Sequence, residues 1–185
     1  MIITLTYTTK LSGTCLKSDF LMKKDMIDIA EEICRRCGGL CCIDAHPPVS
    51  AARKDLILAD GKNEDVFEFC GYLRLAAHAD GACVMMKNGR CQIHKIKPET
   101  CVSGPFTFDL RGNVLEIFMK RESLCPLVRY LKEDRDAYAR QYEMALTNII
   151  ALVKALPECE LRVIAGIPEP ETDKVAELTL PGKDR

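Results

Sequence analysis

The spacing of apolar residues changes several times along the chain, and each change predicts an element. Met22, Met26, Ile29, Ile33 and Cys37 recur at helical intervals with acids and bases between them, which predicts a helix from Met22 to about Arg36. Gly38 and Gly39 end it. Pro47-Pro48 forbids helix in the residues before them, and Ser50 can cap a helix running from Ala51 to about Ala59. GKNED reads as a turn, and VFEFCGYLRLA is an apolar element of open type. GACVMMKNGRCQIH predicts two short extended pieces around the turn Lys87-Asn88-Gly89-Arg90. FTFDLRGNVLEIFMKR is the clearest hairpin, with alternating apolar residues on either side of Arg111-Gly112-Asn113. From Leu124 to about Leu156 a stripe of Leu127, Tyr130, Leu131, Tyr138, Tyr142, Leu146, Ile149 and Val153 predicts one long helix.

The two ends are patterned less strongly. ITLTYTT alternates well enough for a short strand, but LSGTCLKSD breaks it. Residues 1–21 therefore read as a lead-in, with Met22 a second candidate for the start of translation. Residues 157–185 are rich in proline and charge and read as a loosely held tail. The expectation is an α+β fold: a small helix-rich domain over residues 22–156, with short hairpins and one long C-terminal helix.

Composition narrows the setting. A chain of 185 residues, 48% of them hydrophobic and 29% charged, suits one ordinary globular domain. A formal net charge of −1 offers no global attraction to nucleic acid or to an anionic membrane. No apolar run approaches the roughly 18 residues that a membrane span needs. MIITLTYTTKLSGTC lacks the charged start and continuous apolar stretch of a signal peptide, so the protein is expected in the cytoplasm.

The eleven cysteines then become the main chemical feature. Cys34, Cys37, Cys41 and Cys42 fall within the string CRRCGGLCC. Core packing does not cluster thiols this way, which leaves a disulfide framework or a soft-metal site. Adjacent Cys41 and Cys42 weigh against disulfides, since a vicinal bridge strains both the peptide and the sulfur torsion. A reducing cytosol weighs the same way. Cys83, Cys91, Cys101 and Cys125 follow at turns or at a helix start, where backbone N–H groups can reach sulfur. Arg35, Arg36, Lys87, Arg90, Lys95 and Lys97 lie near these cysteines in sequence. They would either offset thiolate charge or serve as ordinary solvated side chains.

The string GACVMMKNGRCQIHKIKPETC resembles the second half of the CxxCxxCC cysteine-cluster family, the YkgJ-like proteins. That family's pattern runs Cys-x-Ile-Tyr-x-x-Arg-Pro-x-x-Cys, and Cys91, Ile93, Pro98 and Cys101 match it in register. His94 stands at the usual tyrosine and Lys97 at the usual arginine. CRRCGGLCC resembles the first half with one extra residue before the CC pair, and Cys125 in LCP is similar to the last family cysteine. The resemblance spans roughly residues 34–126. It implies a metal-stapled fold binding zinc or iron, with an iron–sulfur cluster as a further option, and eight ligands: Cys34, Cys37, Cys41, Cys42, Cys83, Cys91, Cys101 and Cys125. Because Cys41 and Cys42 cannot easily face one ion, the nine-residue string is expected to be half of a shared eight-thiol centre. Similar domains accompany flagellin lysine methylases, which makes a modification enzyme or its accessory module a rival reading. An iron–sulfur oxidoreductase and a metal storage or delivery protein are further readings. Besides the metal ion, a protein partner is possible.

Other residues carry less. Cys15, Cys70 and Cys159 have no partner at ligand spacing and read as free or buried thiols. His46 and His94 are secondary ligand candidates, and His78 is assigned to the surface or the core. GKNED lacks the glycine and hydroxyl spacing of a phosphate loop, and the carboxylates of AEE and KEDRD read as helix-surface charges. The Cys34-x-x-Cys37 pair sits at a helix C-terminus, where the dipole disfavours thiolate, so redox exchange is not expected there. No catalytic constellation stands out.

Overall fold

A computed structural model describes residue 29, residues 31–168 and residues 171–181. The expected strand in ITLTYTT, the start of the first predicted helix and Cys15 lie outside the described residues. Helix α1 covers residues 31–37 and stops at Gly38 and Gly39, whose φ angles of 68° and 79° are ones that only glycine adopts cheaply. Helix α2, Ala51–Ala59, begins where predicted: Ser50 Oγ accepts from the Arg53 N–H at 3.2 Å. The open element VFEFCGYLRLA is an antiparallel hairpin of β1, Phe67–Phe69, and β2, Leu73–Leu75, in the register Phe67↔Leu75. The predicted extended pieces around the KNGR turn are β3, Met86–Lys87, and β4, Arg90–Cys91. The short helix α3, Glu99–Ser103, was not predicted.

The clearest predicted hairpin is β5, Phe106–Arg111, paired with β6, Val114–Lys120. Two expectations beyond it need correction. The long helical signal is two helices, α4, Leu127–Glu133, and α5, Arg135–Ala155. The break falls at Asp134, whose extended backbone ends α4 while its carboxylate accepts from the Ala137 N–H and caps α5. The stretch read as a tail contains α6, Glu158–Ile164, and β7, Thr172–Thr179. Strand β7 pairs antiparallel with β6, giving a three-stranded sheet in the order β5-β6-β7. Its charge has partners: Lys174 Nζ reaches Glu116 at 2.6 Å and Glu177 at 2.7 Å, and Arg121 pairs with Asp173 at 2.9 Å. Ala176 and Leu178 alternate with these residues and pack on the core.

The described residues form an α+β architecture with two hydrophobic clusters. In the larger one, Phe106, Phe108, Leu115 and Ile117 of the sheet meet Ala145, Ile149 and Leu152 of α5. Each fully buried aliphatic chain there contributes roughly 1.5–3 kcal/mol. The smaller cluster joins Val49, Ile57, Leu75, Cys83, Met85 and Ile93. Cys125 and Ile33 pack on the first cluster, and Cys42 and Cys91 on the second. Cys125 on the larger cluster and Cys42, Cys83 and Cys91 on the smaller thus mark out a thiol seam. Among the described residues, no helix is long and apolar enough to cross a membrane.

Candidate metal centre

The cysteine segments are joined through the backbone. After Gly39, residues Leu40–Cys42 form one turn of 3-10 helix that carries the CC pair. The chain then runs antiparallel to residues 81–83: Ile43 bridges Ala82, Asp44 N–H donates to the Gly81 carbonyl at 2.9 Å, and Cys83 N–H donates to the Cys42 carbonyl at 2.9 Å. Cys42 and Cys83 are thereby held side by side. From Cys83 the chain turns into β3, with Met86 N–H donating back to the Cys83 carbonyl at 2.8 Å, and Met86 pairs with Cys91. The glycine loop rests on this hairpin. A Cβ on Gly39 would meet Met86 Cε at 2.1 Å, and a Cβ on Gly89 would lie 3.7 Å from Gly38 Cα. A turn at His94–Ile96 then leads to Pro98 and to α3, which carries Cys101. Cys125 sits where the Arg121 carbonyl accepts its N–H, just ahead of α4.

All eight predicted cysteines are brought into one electrostatic neighbourhood. Negative charge on Cys41 raises the pKa of Cys34, Cys42, Cys83, Cys91, Cys101 and Cys125, and Cys37 acts likewise on Cys34 and Cys125. Burial is the first cause of the upward shift at Cys34, Cys83, Cys91, Cys101 and Cys125, pushing Cys101 up to about 12 and Cys125 to about 11. The adjacent thiols of Cys41 and Cys42 share a hydrogen bond, which holds Cys41 down at about 6 and drives Cys42 upward. Cys70 and Cys159 are exposed, and all ten described cysteines are free thiols.

Four of the sulfurs accept a backbone N–H from the residue two places on: Cys37 from Gly39 at 3.4 Å, Cys83 from Met85, Cys91 from Ile93 and Cys125 from Leu127. Such donors favour thiolate. Of the basic residues expected near the cysteines, Lys97 favours thiolate at Cys34, Cys41, Cys91 and Cys101. Lys120, at the end of β6, adds to this at Cys41 and was not predicted. Arg35 and Arg36 instead pair with Glu32 on the surface of α1.

The histidines take other positions. His94 Nε2 lies 3.5 Å from Lys97 Nζ and its Nδ1 lies 4.0 Å from Glu31, with burial lowering its pKa. His46 and His78 are exposed, and the His46 carbonyl accepts from Tyr72 Oη at 3.0 Å.

A soft metal fits this donor chemistry, since the converging groups are thiols backed by N–H donors and an ammonium group. Among the described residues, no three His, Cys, Asp or Glu side chains stand ready around one point, so the thiols are neighbours and not a closed coordination shell. Comparison with curated proteins finds no match, and neither does comparison with solved structures. A family model does match, over residues 33–137, and its description is a putative zinc- or iron-chelating domain. That span takes in all eight cysteines of the seam, and the chain belongs to the CxxCxxCC family.

Proposed function

We propose that this protein binds zinc or iron through the thiolates of Cys34, Cys37, Cys41, Cys42, Cys83, Cys91, Cys101 and Cys125. What supports the reading most is the backbone pairing that seats Cys42 beside Cys83, within a family match that takes in all eight cysteines. Cys91 is tied to the same hairpin as Cys83 through its pairing with Met86. Lys97 and the four N–H donors offset part of the ligand charge. A closed four-thiolate zinc site is structural, whereas an iron–sulfur cluster would supply electron transfer. In either case the thiol seam would staple the two hydrophobic clusters together. The free thiols suit a reducing compartment, and the cytoplasm is the proposed location.

Anaerobic purification followed by elemental analysis and a visible spectrum tests this reading. About two zinc ions per chain, as expected when each takes four thiolates, or brown protein with acid-labile sulfide, supports it. Protein without zinc or iron, whose eight cysteines alkylate freely, overturns it.

A further inference from the structure

Helix α3 is five residues long, and its buried residues are Glu99 and Ser103, neither of them apolar. Hydrophobic packing alone therefore does not fix the position of Cys101, which lies at its centre. Directional hydrogen bonds hold it on both sides. Toward α2, Ser50 Oγ donates to Glu99 Oε1 at 2.5 Å and itself accepts the Arg53 N–H, while Arg53 Nε lies 3.6 Å from the same carboxylate oxygen. Toward α5, Gln141 Nε2 donates to the Gly104 carbonyl at 2.7 Å and to the Val102 carbonyl at 3.3 Å. Ser103 Oγ lies 2.8 Å from the Glu99 carbonyl and 3.3 Å from the Ala145 carbonyl.

Ser50, Glu99, Ser103 and Gln141 are all buried, and all four serve this one short helix. Glu99 is only 7% exposed, and its second oxygen, Oε2, has no hydrogen-bond partner among the described residues. A carboxylate in that condition is an expensive way to stabilise a core, because desolvation of the bare oxygen opposes folding. Its value lies in geometry: a rigid, charge-assisted link from the capped start of α2 to the turn that presents Cys101.

We propose that Glu99 is a positioning residue for the thiol centre, anchoring α3 to Ser50 and Arg53 so that Cys101 is held at its ligating position. This rests on the reading of Cys101 as a ligand. Truncation of Glu99 frees α3 on its α2 side and leaves the Gln141 side intact, so Cys101 gains freedom while the rest of the seam keeps its order. Glutamine retains an oxygen that can accept from Ser50, so it restores most of the restraint.

The test uses the full chain with Glu99→Ala, Glu99→Gln and Ser50→Ala. In metal-free protein, iodoacetamide labelling is followed cysteine by cysteine by mass spectrometry. In zinc-loaded protein, release to excess chelator is timed. Glu99→Ala should speed labelling of Cys101 and leave buried Cys83 at the wild-type rate, and it should accelerate zinc release by about tenfold or more. Glu99→Gln should recover most of both effects. Should Glu99→Ala fail to fold, Ser50→Ala removes the donor together with the α2 cap, and labelling of Cys101 should still accelerate more than that of Cys83. Equal acceleration at Cys83 and Cys101, or an unchanged Cys101 in both variants, overturns the proposal. A wild-type chain that binds neither zinc nor iron defeats the ligand reading instead, and the labelling of Cys101 in metal-free protein then still decides the role of Glu99.

Discussion

Gly39 offers a sharp test of how the first cysteine block is seated, because its neighbour Gly38 provides an internal control. Both glycines have positive φ, 68° and 79°, but a Cβ on Gly38 meets nothing within 4 Å. A Cβ on Gly39 would lie 2.1 Å from Met86 Cε and 3.2 Å from Met86 Sδ. Gly38→Ala should therefore cost only backbone strain, about 1–2 kcal/mol, less some 0.4–1 kcal/mol recovered from the stiffer unfolded chain. Gly39→Ala carries the same terms plus overpacking against Met86, roughly a further 1–3 kcal/mol. The methionine tip is flexible, which places the expected excess toward the lower end of that range. Urea unfolding of both variants measures the difference. Met86→Ala removes the obstructing atoms, so in that background the cost of Gly39→Ala should fall to that of Gly38→Ala. Equal costs in the wild-type background, or no relief from Met86→Ala, would refute the seating of the glycine loop on the β3–β4 hairpin.

Three further outcomes are expected. Cys101→Ser should lower the bound zinc or iron measured by elemental analysis, whereas Cys159→Ser, at an exposed thiol outside the seam, should leave it unchanged. Ile149→Ala, at a residue with no exposure, should cost about 2–5 kcal/mol in urea unfolding of the metal-free chain. The alkaline limb of stability should also report the buried thiols. Cys101 and Cys125 are raised in the folded state to about 12 and about 11, so their contribution is complete below the ordinary thiol value and fades as the pH climbs through those numbers. Metal-free protein should accordingly lose stability between about pH 9 and pH 12; Cys125→Ser should flatten that decline, and a flat profile in the unsubstituted chain would contradict the burial of these thiols.

How legible these features were in the sequence depends on how local their causes are. The α2 cap at Ser50, the turn at Asn88-Gly89 and the hairpin around Gly112 rest on a few adjacent residues, and each stands where the pattern placed it. The helix break at Asp134 had a local signal too, an aspartate three residues before Ala137, but the surrounding run KEDRD hid it as surface charge. Strand β7 was masked differently. Its Lys174 and Glu177 look like a solvated tail until Glu116 of β6 supplies a partner 58 positions away in sequence, which no local pattern can reveal.

The same division holds at the thiol seam. The two cysteine blocks and their order were readable, because ligand spacing is written in the chain. Lys120 of β6 could not be assigned to Cys41, since only the fold brings that strand end to the CC pair. The link from Glu99 to Ser50 spans 49 residues, and the cap signal that marks Ser50 says nothing of a partner at Glu99. Residues that orient a ligand are chosen by three-dimensional fit, and their types alone look ordinary.

The central claim, a metal held by the eight cysteines of the seam, is tested most directly by X-ray absorption at the zinc or iron edge of anaerobically purified full-length protein. The account predicts a first shell made of sulfur, with zinc–sulfur distances of about 2.3 Å if zinc is bound. A shell dominated by nitrogen or oxygen, or protein that carries neither metal, would contradict it.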